Sequence, residues 1–128
     1  MTSTRFAHHR LDAYRIALDL FAGVEQFAGS LPRGHADLKD QVRRAAWATV
    51  RHIAEGANRV QPRDKAARFV LARAECGECE AALEMAHRIG LRPDSELVVL
   101  ADRVAALCMG LVRREQRRAQ LGSADLST

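Results

Sequence analysis

Phe69-Val70-Leu71-Ala72-Arg73-Ala74-Glu75-Cys76-Gly77-Glu78-Cys79-Glu80-Ala81-Ala82-Leu83-Glu84-Met85-Ala86 is the most regular stretch of this 128-residue chain. Phe69, Ala72, Cys76, Cys79, Leu83 and Ala86 recur within it at a 3-4-3-4-3 spacing. An α-helix turns once in about 3.6 residues, so these side chains share one stripe and predict a helix buried along it. A second seam, Leu71, Glu75, Glu78, Ala82, Met85 and Ile89, is apolar except for its two glutamates. Pro62 suits the first turn, where the missing N–H costs nothing, and Asp64 complements the positive end of the dipole. Gly90 ends the helix.

The same period extends to either side. Leu38, Val42, Ala45, Ala46, Thr49, Val50 and Ile53 predict a helix over about residues 36–55, with Gly56 and Asn58 suited to its C-terminal cap. Upstream, Leu11, Tyr14, Leu18 and Phe21 form one stripe, and Ile16, Leu20, Val24 and Phe27 the adjoining one. That helix stops at Leu31-Pro32-Arg33-Gly34, because proline cannot continue the hydrogen-bond ladder. Downstream, Pro93-Asp94-Ser95-Glu96 supplies a capping start for a fourth helix buried by Leu97, Leu100, Ala101, Val104, Leu107, Cys108 and Leu111. Short linkers between long helices predict an all-α, antiparallel up-down-up-down four-helix bundle. It spans residues 1–121 as one domain, and 122–128 are expected to form a flexible C-terminal tail.

Composition points the same way. Hydrophobic residues are 48% and aromatic residues only 5%, and 23 alanines against three prolines disfavour a β-sandwich or barrel. No apolar run reaches the ~18 residues of a membrane span, and residues 1–10 lack a signal-peptide stretch. Three cysteines are an odd number for a secreted disulfide framework. A cytoplasmic protein with no membrane partner is expected.

Catalysis is not indicated, and no cofactor is expected. Cys76-Gly77-Glu78-Cys79 lies well inside a helix, away from the N-terminal dipole that would activate a thiol. The cysteines read as core residues; the competing reading is a metal or redox site shared with Cys108 and His87. Glu84-Met85-Ala86-His87 is a lone Glu-x-x-His where a di-iron bundle needs two, so no metal is assigned. There is no glycine-rich phosphate loop and no Ser/His/Asp arrangement.

Charge is the remaining signal. Arginine supplies 18 of the 20 cations, and the net charge is +4. Residues 1–70 carry 12 cations against 7 anions and residues 113–128 carry 4 against 2, so the basic side belongs to the first two helices, the second linker and the end of the fourth helix. Arg113-Arg114-Glu115-Gln116-Arg117-Arg118 is the densest cluster: either a solvated helix end or a phosphate-binding strip, since planar guanidinium groups suit phosphate. The candidate nucleic-acid-binding residues are Arg43, Arg44, Arg51, Arg59, Arg63, Arg113, Arg114, Arg117 and Arg118. A lack of exposed aromatics argues against base stacking, so binding is expected to be backbone-directed. A charge on a buried stripe needs a partner, so Arg43 or Arg44 is expected to pair with Glu78 or Glu55, either inside the bundle or across a subunit boundary.

Leu11-Asp12-Ala13-Tyr14, Leu31-Pro32 and Leu38-x-x-Gln41-Val42-Arg43-Arg44-Ala45-Ala46 together resemble the 23S rRNA intervening-sequence protein family. Ile53-Ala54-Glu55-Gly56-Ala57-Asn58-Arg59 is similar to that family's Asn-Ile-Ala-Glu-Gly-x-x-Arg signature, and Arg68-Phe69, Ala72 and Glu78 match its next segment. The resemblance covers about residues 6–90, and Gln41, Arg44, Ile53, Ala54, Glu55, Gly56, Arg59 and Glu78 carry the motif. His52 stands where the family has asparagine, and Ala74-Glu75 where it has Gly-Ser.

The resemblance implies a homopentamer without enzymatic activity. A related branch, the accessory variability determinant proteins of diversity-generating retroelements, binds nucleic acid and a reverse transcriptase. The expected function is therefore a non-enzymatic oligomeric bundle that binds RNA or DNA through its arginine-rich surface. The alternative is a protein-interaction scaffold or accessory subunit, for example for a reverse transcriptase.

Overall fold

The computed structural model describes residues 6–127, with side chains described as far as Ser123. After a short 3-10 turn, Ala7–Arg10, the chain forms α1 (Asp12–Gly29), α2 (Ala36–Asn58), α3 (Pro62–Arg88) and α4 (Ser95–Ser127). No strand occurs among the described residues. α2 packs on α3, α3 on α4, and α1 against both α2 and α4. None of these helices is long and apolar enough to cross a membrane. The backbone of α4 runs on to Ser127, through most of the stretch expected as a tail. Residues 113–127 hold no proline and many good helix formers, so nothing there breaks the ladder.

Local chemistry sets the helix ends. Asp94 Oδ1 accepts the Glu96 N–H at 3.0 Å, capping the start of α4. α3 closes where Gly90 takes a positive φ of 86°. Leu91 N–H then reaches back to Ala86 O at 3.0 Å and Gly90 N–H to His87 O at 3.0 Å, satisfying two terminal carbonyls. The end of α2 differs from expectation. Gly56 lies inside the helix, which continues to Asn58, and the Lys65 ammonium donates to Ala57 O at 2.8 Å and Arg59 O at 3.1 Å. Asn58 closes the last turn by donating its amide to Ala54 O at 2.9 Å and also holds the N-terminal turn. Its Oδ1 accepts the Ala7 N–H at 3.2 Å, and its Nδ2 lies 2.8 Å from His8 Nδ1.

The α3 stripe is buried as its spacing requires: Phe69, Ala72, Cys76, Cys79, Leu83 and Ala86 are all inside. The three cysteines pack as small apolar groups. Burial pushes the Cys76 thiol up to about 11 and those of Cys79 and Cys108 up to about 12, and Cys76 Sγ donates to Ala101 O at 3.2 Å. α1 turns Leu20 and Val24 of its second stripe inward as expected, flanked by alanines, and leaves the first stripe at the edges of the contact. Ala13, Ala17, Leu20, Val24 and Ala28 are buried, Tyr14 and Phe21 are half-buried, and Leu18 is exposed. An alanine ridge lets α1 approach α2 and α4 closely, which moves the larger side chains to the edges of the contact. On the second α3 seam only Ala82 is buried, leaving Leu71, Met85 and Ile89 exposed beside Glu78.

Candidate nucleic-acid interface

Four segments meet at one corner of the molecule: the Ala7–Arg10 turn with the start of α1, the end of α2, the start of α3 and the last third of α4. A hollow of about 280 Å³ lies between Ala7, Arg10, Leu11, Ala57, Lys65, Arg114 and Arg118. Through Arg10, Leu11 and Arg114 it continues into a second, of about 450 Å³, that adds Arg117. Through Lys65 and Arg118 it continues the other way, past Val60 and Pro62, to one that includes Arg63. The result is a groove lined by Arg10, Arg63, Lys65, Arg114, Arg117 and Arg118, residues distant in sequence that the fold brings together.

Glu115 lies beneath this groove with its side chain fully buried. Its carboxylate accepts hydrogen bonds from Arg114 Nε at 2.9 Å and from Arg118 Nη1 at 3.2 and 3.3 Å. An unpaired buried carboxylate would be costly, and these two charge-assisted contacts offset that cost. The sequence signal was present, because Glu115 continues the buried α4 stripe Ala101, Val104, Cys108, Val112. It was masked by the four arginines around it. Arg10 and Lys65 were likewise missed, since neither is near the cluster in sequence.

The other candidates lie elsewhere. Arg113 is exposed and does not line the groove. Arg59 approaches Asp64 at 3.6 Å. Arg43, Arg44 and Arg51 sit on the outer side of α2, around Trp47, which is 52% exposed. Arg51 stacks over the Trp47 ring at 4.9 Å. An exposed tryptophan, together with half-exposed Phe6, corrects the expectation that no aromatic reaches the surface. Trp47 lies on the same outer face of α2 as Arg43, Arg44 and Arg51, opposite the buried Val42, Ala45, Ala46, Thr49 and Ile53.

The ion pairs expected inside the bundle are also corrected. Arg43 Nε donates to Glu25 Oε1 on α1 at 2.9 Å. Glu55 is taken by Arg51 at 3.0 Å and by Arg68 on α3 at 3.5 Å. Glu78 is exposed beside Glu75, whose carboxyl is pushed up by burial and by Glu78. The seam read as buried faces outward there, so Glu78 reaches solvent without an arginine from α2.

The family model described as 23S rRNA-intervening sequence protein matches residues 9–112. The chain belongs to this family. A search of curated proteins finds no match.

The family motif now has a physical reading. Ile53 is fully buried. Ala54 O accepts the Asn58 side-chain amide at 2.9 Å, and Glu55 ties α2 to α3 through Arg68. A Cβ at Gly56 would stand 2.7 and 2.8 Å from the Phe69 ring and 3.2 Å from Arg68 Cβ, so glycine is what lets α2 and α3 touch. In this member of the family the Ile-Ala-Glu-Gly segment is mainly a helix-packing device. Arg59, which closes the motif, is exposed.

His52, where the resembled signature has asparagine, is buried with Nδ1 3.6 Å from Glu55 Oε2 and without a hydrogen-bond partner. Burial, followed by Arg51 and outweighing Glu55, holds its pKa below the ordinary 6.5; Arg68 acts in the same direction. Above that value both folded and unfolded chains carry neutral imidazole, and the folded state has its full stability. As pH falls below it, the unfolded chain takes the proton first, so stability declines toward the folded-state pKa. The decline from this one group is at most about 1.4 kcal/mol per pH unit. His52→Asn is expected to show a shallower loss of denaturant midpoint between neutral and mildly acid pH. His8, also lowered by burial and by His9, contributes in the same direction to both chains and cancels in the comparison. Parallel midpoint curves for the two proteins would contradict this assignment.

Proposed function

We propose that this protein is a non-enzymatic, self-associating helical bundle that binds RNA or DNA through phosphate contacts along the cationic groove at its corner. The observation that carries this reading is the gathering of Arg10, Arg63, Lys65, Arg114, Arg117 and Arg118 into adjoining hollows whose only carboxylates are the buried Glu115 and Asp12, which is paired with Arg15. Such a surface suits phosphate contacts, which position a strand without reading its bases, so sequence preference is expected to be weak. The three unpaired thiols suit the reducing cytoplasm.

The test is a salt titration of binding to mixed RNA and DNA oligonucleotides. Four to six phosphate contacts give a log Kd against log salt slope of about 3 to 5. A flat slope, or no binding at about 50 mM salt, contradicts the proposal.

Self-association belongs to the same reading. Trp47, Val70, Leu71, Met85, Ile89 and Val99 leave large apolar side chains on the outside. A ring of antiparallel, up-down bundles would cover these side chains, and the resemblance implies five copies. Sedimentation velocity is expected to give a mass near five chains, falling when Trp47 is replaced by Asp; a monomer at about 100 μM would oppose it. The second reading, an accessory subunit for a protein such as a reverse transcriptase, is favoured by the same exposed Trp47 face.

A further inference from the structure

We propose that the hollow between Leu11, Ala57, Arg10, Lys65, Arg114 and Arg118 seats one phosphate group of the bound strand, with Glu115 as the positioning residue that aims its two arginines. The proposal rests on the nucleic-acid reading above and narrows it from a charged surface to a built site.

The size is right. About 280 Å³ accommodates one phosphate and the sugar beside it, walled by apolar Leu11 and Ala57. The donors are aimed from below. Arg114 spends Nε on Glu115 and Arg118 spends Nη1, while their side chains remain 45% and 59% exposed. A guanidinium carries five N–H donors, so each arginine keeps several for a ligand. Lys65 Nζ uses two of its three donors on Ala57 O and Arg59 O, which fixes the ammonium at the edge of the hollow. Four cations therefore line this hollow, and the Glu115 carboxylate that holds two of them lies in the wall of the adjoining one, which shares Lys65 and Arg118. Glu115 costs net positive charge at a site that binds anions, and its compensation is order: two flexible side chains held in one arrangement before the ligand arrives.

This role makes a prediction of sign. If attraction were diffuse, Glu115→Gln would remove a negative charge and tighten binding. As a positioning residue, it must weaken it. A 3′-labelled 12-nucleotide RNA is titrated by fluorescence anisotropy at about 100 mM salt with the full chain and its variants. Glu115→Gln is expected to bind roughly 5-fold more weakly and to lower the salt slope by about one contact. Partial unfolding would only scale the apparent affinity and leave the slope unchanged. Arg118→Gln is expected to lose roughly 10-fold, against less than 2-fold for Arg88→Gln, the same charge change at the end of α3 away from the hollow. This pair decides the matter if Glu115→Gln does not fold by circular dichroism.

Repeating the titration with 5′-phosphorylated and 5′-hydroxyl RNA identifies the source of the phosphate. A preference for the phosphorylated strand assigns a terminal monoester, and equal affinity a backbone diester. Tighter or unchanged binding by Glu115→Gln, or equal losses for Arg118→Gln and Arg88→Gln, overturns the seat while leaving the groove reading intact. No binding by the unaltered chain overturns both.

Discussion

Replacing Phe69 with alanine is expected to lower the unfolding free energy by about 3–5 kcal/mol. The ring is fully buried where α3 crosses α2, and it lies against the site of Gly56. Removing it takes a large apolar surface out of the core and leaves a cavity that the surrounding α2 and α3 backbones close only in part. Gly56→Ala attacks the same contact from the other side. Alanine is the better helix former by about 1 kcal/mol. Here its methyl would stand 2.7 Å from a ring carbon, and forced repacking outweighs that gain by about 1–2 kcal/mol. The two substitutions share one contact, so Gly56→Ala should cost much less in a Phe69→Ala background. Chemical denaturation of the four proteins measures this as a double-mutant cycle. Additive losses would show that Gly56 does not serve the helix crossing.

Replacing Arg10, Arg63 and Arg117 together with glutamine is expected to weaken nucleic-acid binding by about 1,000-fold or more. All three line the groove, and each charge-assisted phosphate contact contributes on the order of 1.5–3 kcal/mol. The salt slope should fall by about three contacts. These positions are chosen because the described hydrogen bonds to Glu115 come from Arg114 and Arg118. Removing both of those partners would leave a buried charge unpaired and confuse loss of fold with loss of contact. Melting within a few degrees of the unaltered chain, together with a lost salt slope, is the supporting result. Retained affinity would move the phosphate track to the Trp47 side of α2.

The helices were legible because burial on a helix imposes a 3.6-residue period that survives without knowledge of the partner. Phe69 to Ala86 shows this best, with all six stripe positions inside. α1 was less legible. Its bulky residues form two adjoining stripes, and only the distance between helices decides which faces inward. The candidate site was partly legible. Arg63, Arg114, Arg117 and Arg118 were identified from local charge density, whereas Arg43, Arg51 and Arg59 are engaged with Glu25, Glu55 and Asp64. Gly56 looked like a cap because a glycine near a helix end usually is one. Its actual reason is a ring from another helix.

By itself the sequence determined the four helices, the breaks between them, the cysteine-containing stripe of α3 and the family. These follow from interactions between residues a few positions apart, which recur in the string. Tertiary structure alone decided that Arg10, Lys65 and Arg118 share a groove, that Glu115 is buried under it and that Trp47 is left outside. Those outcomes depend on which helices pack together and how closely, a property of side-chain volumes summed across the whole core rather than of any one segment.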